Sequence, residues 1–329
     1  MYFRCRNCGG NVVYSPERQG MYCPFCDSQD SGERTEGSTR MLSICPNCGG
    51  EVPVQPHTSA IQCPYCDSYL ILNERVEGAY APKMMIPFQL GKEACKQSLR
   101  DKFKRCLFAP TDFLSELRLE GMQGVYVPYW FYDYDAACCF KGEGTRVKVW
   151  RSGDKEYTET AVYAVCRDLD ISFEKIPVDA SEQMPDGVMD LIAPFRYNQM
   201  VDFKPQFMSG FGAEKYNMTA DVVEGRARAL MQEDAEKLLR ESYAGFHSMK
   251  TIRKDVQIRQ SQSSYGLLPV WKYLYRYKDQ EYPFYVNGQT GKIVGTAPFS
   301  RRKFGAYVGT LWVSLTAVLA LVKVILGLL

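Results

Sequence analysis

Apolar positions recur with helical spacing in two stretches of this chain. From Lys92 to Leu107, the residues Cys95, Leu99, Phe103 and Cys106 fall on one face, which predicts an amphipathic helix. From Asp221 to Tyr243, Val223, Ala227, Met231 and Leu238 do the same, and Asp221 followed three residues later by Glu224 reads as a capping-box start. Around these helices the sequence is rich in aromatics and strand formers. Two Pro-aromatic runs, Val127-Pro128-Tyr129-Trp130-Phe131-Tyr132 and Leu268-Pro269-Val270-Trp271-Lys272-Tyr273, lead into strand-like sequence. Each follows a Pro-Phe segment, Ile86-Pro87-Phe88 or Ala193-Pro194-Phe195. Trp271 to Gly295 predicts a hairpin, with Lys278-Asp279-Gln280-Glu281 at one corner and Asn287-Gly288-Gln289-Thr290-Gly291 at another. Residues 83–300 are therefore expected to form an α+β domain, helices laid on antiparallel sheet, in two weakly related halves.

The pattern changes at both ends. Gly305 to Val322 carries no charge, and Lys323 is the only charge from there to Leu329. About 20 such residues match a hydrocarbon core of about 30 Å. A buried C-terminal helix would be striped, whereas this segment is apolar all round. Residues 304–329 are read as a transmembrane helix contacting membrane lipid. Arg301-Arg302-Lys303 lies just before it, which predicts a single-pass protein with its N-terminal bulk in the cytoplasm.

At the N-terminus a pattern repeats with period 40. Cys5, Cys8, Cys23 and Cys26 return as Cys45, Cys48, Cys63 and Cys66, together with Asn7/Asn47, Gly9/Gly49, Gly10/Gly50, Val12/Val52, Pro24/Pro64 and Asp27/Asp67. This reads as two copies of one small module, at 1–35 and 41–75, with the polar stretch Gln29 to Arg40 as linker and Asn73 to Pro82 as a second connector.

Composition sharpens that reading. The chain has 329 residues, enough for more than one domain, and 46% hydrophobic with 24% charged residues is ordinary for a globular protein. Of 13 cysteines, eight sit in the four Cys-x-x-Cys pairs; Cys95, Cys106, Cys138, Cys139 and Cys166 follow no spacing. Met1-Tyr-Phe-Arg-Cys has no apolar signal region, so a reduced compartment is expected rather than a disulfide scaffold. Four thiolates suit a tetrahedral Zn²⁺ at Zn–S of ~2.3 Å, and the glycines after Cys8 and Cys48 suit the tight knuckle. The fourteen residues between the pairs leave room for a small β hairpin in each ribbon. With no position left for water, each site reads as structural, one Zn²⁺ per ribbon. Redox dithiols and a rubredoxin-like iron site are the rival readings.

These cysteines resemble those of zinc-ribbon families, including the transcription-factor-IIB type. With Ile86-Pro87-Phe88, Tyr126-Val127-Pro128-Tyr129-Trp130, Leu268-Pro269-Val270-Trp271 and Asn287-Gly288-Gln289-Thr290-Gly291-Lys292, the whole chain resembles bacterial membrane proteins of unknown function. These pair such ribbons with an α+β domain and a C-terminal membrane segment. They are sometimes labelled primosomal-helicase-like, and the last stretch is also similar to strand pairs of PepSY-like domains. The resemblance implies metal binding and membrane attachment and no catalytic residue. No Gly-x4-Gly-Lys-[Ser/Thr] loop occurs, so no ATP motor is expected. The two histidines, His57 and His247, complete no catalytic constellation.

Charge bears on the partner. Residues 1–75 hold six basic residues (Arg4, Arg6, Arg18, Arg34, Arg40, Arg75) against eight acids (Glu17, Asp27, Asp30, Glu33, Glu36, Glu51, Asp67, Glu74), a balance of −2. Eight thiolates and two Zn²⁺ add −4, so the loaded ribbons carry about −6, the wrong sign for gripping phosphates. Positive charge gathers instead at Lys92, Lys96, Arg100 and Lys104, and over 250–278. The expectation is a membrane-tethered, zinc-binding adaptor, not an enzyme, whose ribbons engage another protein. A membrane-associated nucleic-acid binder is the first alternative and an unrecognised enzyme in the α+β domain the second.

Overall fold

The computed structural model describes residues 1–35, 44–106, 108–110, 121–277 and 280–328. Leu107, Leu329, the Lys278-Asp279 part of the expected hairpin corner and residues 36–40 of the expected linker lie outside them. The fold is mixed α+β, as the hydrophobic pattern predicts.

Among the described residues the N-terminal region contributes six short strands: β1 (Tyr2–Arg4), β2 (Val13–Ser15), β3 (Gly20–Tyr22), β4 (Glu33–Thr35), β5 (Thr58–Gln62) and β6 (Tyr69–Ile71). β2 and β3 form the hairpin expected between the first two cysteine pairs. The second module differs. There β5 pairs with β6 across the second knuckle, and no strand stands where β2 stands in the first. The position matching Val13 is Pro53, which has no N–H to give to a ladder. Along β5 the missing partner is replaced by a strand of the body, described below. The Asn73 to Pro82 connector is folded rather than loose, with two short 3₁₀ turns, Asn73–Arg75 and Gly78–Tyr80. The Arg75 guanidinium there donates to the carbonyls of Gln55 (2.7 Å) and Thr58 (2.5 Å).

The body follows as β7 (Met84–Met85), α1 (Lys92–Lys104), β8 (Gln123–Ser152), β9 (Lys155–Asp179), α2 (Asp186–Ile192), β10 (Val201–Asp202), β11 (Gly212–Glu214), α3 (Ala220–Ser242), β12 (Ser248–Tyr277), β13 (Gln280–Asn287) and β14 (Ile293–Val294). β8 and β12 pair antiparallel from Gln123↔Lys272 to Thr145↔Ser248. At about 3.3 Å per residue, each 30-residue strand runs roughly 100 Å. β9 pairs with the far edge of β8 and β13 with that of β12. β11 pairs parallel with β8 at Gly212↔Val125 and antiparallel with β5 at Ala213↔Ala60, so the second module's hairpin extends the body's sheet.

Burial along β8 changes in three steps, each with a sequence cause. Residues 126–129 are buried on both faces, in an apolar Tyr-Val-Pro-Tyr run. From Tyr132 to Gly144 only alternate residues are buried: Tyr132, Tyr134, Ala136, Cys138, Phe140. From Arg146 to Ser152 all are exposed. The alternating face is covered by α3 through Val223, Ala227, Met231, Ala235 and Leu239. Leu238, expected on that face, is instead exposed; the buried row keeps a spacing of four and lands on Leu239. The capping box does not form either. The N-cap is Thr219, without a side-chain bond, and Glu224 accepts from Arg228 at 3.1 Å. α1 buries Cys95, Leu99 and Phe103 as expected but ends at Lys104, which leaves Cys106 half-buried beyond it.

The Asn287 to Gly291 turn clasps both Pro-Phe segments. Asn287 is fully buried; its amide donates to the carbonyls of Ile192 (3.1 Å) and Pro194 (3.3 Å) while its oxygen accepts from the N–H groups of Gln289 and Thr290. On the other side the Gly288 carbonyl accepts from Gln89 and Leu90. A Cβ at Gly288 would lie 2.6 Å from the Phe88 ring, which excludes any larger residue. This stretch is a structural corner. Asn287→Ala strands buried carbonyl and N–H groups, each worth about 1–3 kcal/mol, so its denaturant midpoint is expected well below that of the parent chain. An unchanged midpoint would refute the clasp.

The last element is α4 (Arg301–Leu328). Within it Arg301–Ala320 is long and apolar enough to cross a membrane, with a mean hydropathy of 1.3, and none of it is buried against the body. That exposure disfavours a buried core helix.

Candidate metal centres

Each cysteine quartet is assembled by two knuckles, and the backbone bonds of one quartet are repeated in the other. In the first, the Gly9 N–H donates to the Cys5 carbonyl (2.9 Å) and the Cys5 N–H to Gly10 (2.7 Å); Asp27 and Cys23 bond likewise to Cys23 and Ser28. In the second, Gly49, Cys45, Asp67 and Cys63 make the same bonds to Cys45, Gly50, Cys63 and Ser68. The tight reversal needs a left-handed residue. Gly9 (φ +78°) and Gly49 (φ +74°) supply it in the first knuckles, Asp27 (φ +58°) and Asp67 (φ +57°) in the second. Aspartate is among the few non-glycine residues that tolerate that region. The recurrence of Asp27/Asp67 was visible in the sequence; its backbone reason was not.

The four sulfurs of each quartet lie within 4.8 Å of one another. Cys5 to Cys26 is 3.7 Å, Cys8 to Cys23 3.4 Å, Cys45 to Cys66 3.7 Å and Cys48 to Cys63 3.8 Å. A disulfide would need about 2.05 Å, so these are not bonded pairs. A tetrahedron with metal–sulfur bonds of ~2.3 Å has edges of about 3.8 Å, and the observed separations fit it. Each quartet can therefore hold one metal ion. Among the described residues these are the two such groups, and His57 belongs to neither. The His57 carbonyl instead accepts from the N–H of Lys215 beside β11. Cys95, Cys106, Cys138, Cys139 and Cys166 stand outside both quartets, and burial pushes the Cys95 thiol up to about 12.

Neighbouring donors prepare one sulfur of each quartet for charge, Cys26 and Cys66, while the Cys8 and Cys45 thiols stand raised at about 12, Cys45 chiefly by burial. The Ser28 hydroxyl lies 3.1 Å from Cys26 and 3.4 Å from Cys5, and it holds the Cys26 thiol down at about 6. At Cys66 burial works against ionisation, yet Ser68 and the Asn47 amide, 3.5 Å from the sulfur, bring it to about 6 as well. A group whose pKa is lowered by such bonds is charged in the folded state at neutral pH and is a better metal ligand there.

The two quartets are joined through one strand. In β1, Phe3 packs with Cys5, Val12 and Cys23 of the first, while Tyr2 packs with Cys45, Val52, Cys63 and Leu70 of the second. The Tyr2 hydroxyl reaches both first knuckles, at the Gly9 carbonyl (3.3 Å) and Asn47 Oδ1 (3.4 Å). Asn11 of the first module accepts from the Tyr69 N–H of the second at 2.9 Å. The first module is also docked on the body. The Ser209 hydroxyl donates to the Val12 carbonyl, the Tyr14 N–H to that of Ser209 (2.8 Å), and the Tyr14 ring stands edge-on to Phe207 at 5.1 Å. Two quartets, each complete in sequence, are thus joined by neighbouring residues of one strand, each packed into a different core. Tyr2→Ala removes a buried ring at a cost of about 3 kcal/mol. It is expected to weaken metal retention by the second quartet although no ligand is changed. Metal content per chain under chelator competition measures this; parental retention by Tyr2→Ala would contradict the coupling.

No family model matches the chain, and no solved structure matches it. It is similar to the Bacillus subtilis protein described as uncharacterized protein YdjG, at 37% identity over 334 residues. The match covers 99% of this chain and 98% of that protein, so it runs over nearly the full length of both. The chain belongs to the family of YdjG.

Proposed function

We propose that the protein is a membrane-tethered, zinc-binding adaptor. Each quartet holds one structural Zn²⁺, the ribbons engage another protein, and α4 anchors the whole in a membrane with the bulk of the chain on the cytoplasmic side. The observation that carries the metal assignment is the set of sulfur separations, 3.4–3.8 Å, at four thiols per site. Four thiolate ligands leave no open position, which favours a structural over a catalytic ion.

The docking role is supported by two aromatic side chains at matching places. Phe25 and Tyr65, between the cysteines of the second knuckles, are 72% and 67% exposed. Each leans on a glycine, Gly10 or Gly50, where a Cβ would come within 2.5 Å or 2.6 Å of the ring. Exposed aromatics held by a rigid backbone are the usual anchors of protein interfaces. The balance of about −6 on the loaded ribbons favours a basic or apolar protein surface over a polyphosphate. Orientation rests on Arg301, Arg302 and Lys303 at the mouth of α4.

Elemental analysis of the purified full chain is expected to find two zinc ions; one shared ion, or iron with its visible absorption, would overturn the metal assignment. The double variant Phe25→Ala/Tyr65→Ala should keep both ions yet lose the proteins labelled by proximity tagging at the N-terminus. In fluorescence anisotropy the full chain should bind DNA weakly and without sequence preference. Submicromolar, sequence-selective binding would replace the adaptor reading with the nucleic-acid one. Removal of residues 304–329 should release the protein from membranes.

A further inference from the structure

The junction between body and α4 gathers positive charges that are far apart in the chain. The Ser300 N–H donates to the Phe108 carbonyl (2.8 Å), and the Lys303 ammonium to that of Ala109 (2.7 Å). Around these bonds the Phe108 ring meets Phe299 at 5.9 Å, Phe304 at 5.3 Å and Tyr307 at 5.5 Å. The first turns of α4 are thus fastened to the segment that leaves α1, and the body does not hang from a free tether. Arg105 caps α1 only three residues before Phe108, which limits the gap to about 11 Å of extended chain. The exposed cations at the end of α1, Lys104 and Arg105, therefore lie within a short reach of chain of the contact that holds Arg301, Arg302 and Lys303. Asp101 approaches this group, 3.5 Å from Lys104, and residues 299–307 contain no acid. The N-terminal end of α4 adds the positive end of its dipole.

We infer that the C-terminal end of α1 and the first turn of α4 together form a binding site for the phosphate groups of anionic phospholipids, seating the body against the membrane face. This rests on the reading of α4 as a membrane anchor. The chemistry is that of juxtamembrane basic clusters, where each Lys or Arg near an anionic leaflet adds attraction and salt screens it. The Phe108, Phe299, Phe304 and Tyr307 rings are placed to lie at the same level, with Tyr307 offering the amphipathic ring that interfaces favour. Lys92 and Lys96 contribute less than their sequence spacing suggests. Both are half-buried, and Lys96 is held by Glu93 at 2.6 Å.

The test uses the full chain in nanodiscs of phosphatidylcholine with and without phosphatidylglycerol, reading the relative association of spin-labelled forms of the two lipids. The parent chain is expected to prefer phosphatidylglycerol, and the preference to weaken with added salt. Lys104→Gln/Arg105→Gln should remove most of the preference while insertion, metal content and circular dichroism stay as in the parent. Arg253→Gln, an exposed cation on β12 far along the strand, should leave it unchanged. A chain that inserts but shows no preference, or a preference that survives Lys104→Gln/Arg105→Gln, overturns the site alone. A chain that does not enter the nanodisc overturns the membrane reading and this inference with it.

Discussion

The antiparallel ladder between β8 and β12 is the contact on which the rest of the molecule hangs. Its inner part, around Tyr126↔Pro269 and Val127↔Leu268, is buried on both faces and joins the two Pro-aromatic runs. Each strand then offers its outer edge to one partner after another: β11 and β9 along β8, β7 and β13 along β12. Because β11 also carries β5, the pairing that builds the body extends into the second cysteine module. A prolyl nitrogen cannot donate to such a ladder, yet the carbonyls at Pro128 and Pro269 remain in use, accepting from Ala180 and Gly288.

The cysteine modules depend on that frame and on each other. A module of this size buries too little apolar surface to stand without metal or neighbours. Here it has both kinds of support available. The thiol quartets offer metal sites, and Tyr2, Phe3, Val12 and Tyr14 join the modules to one another and to the body. Metal binding and folding are then linked across the N-terminal region, because a strand that packs against both quartets cannot loosen in one without disturbing the other.

The outer part of the long strands has a different character. Past Thr145 the β8–β9 pair runs on without β12, and its side chains are exposed. Trp150 and Tyr157 stack across it at 5.7 Å, and Arg151 pairs with Glu156 at 3.0 Å, so the tip is held by cross-strand contacts rather than by a core. The unpaired edges there carry Arg146, Lys148, Lys155 and Glu159 among their residues, the kind of charge that keeps an open edge from recruiting other strands.

What the sequence determined by itself was local. Cys-x-x-Cys spacing, the glycine after each first pair, the row Cys95-Leu99-Phe103 and the uncharged run of Gly305 to Val322 each follow from chemistry within a few residues. Those features were legible as metal sites, an amphipathic helix and a membrane-length segment. The fold class was legible for the same reason, since periodicity is a property of one strand or helix at a time. What only the tertiary structure decided was pairing. Pro53 removes a donor locally, but nothing near it says that β11 will lie along β5 in place of a strand like β2. Leu238 and Leu239 both fit an apolar stripe, and it took the sheet beneath α3 to select Leu239. Phe108 lies nearly two hundred residues from Phe304, and Tyr2 more than forty from Cys45. Their proximity depends on how separate elements share a core, which no window of neighbouring residues encodes.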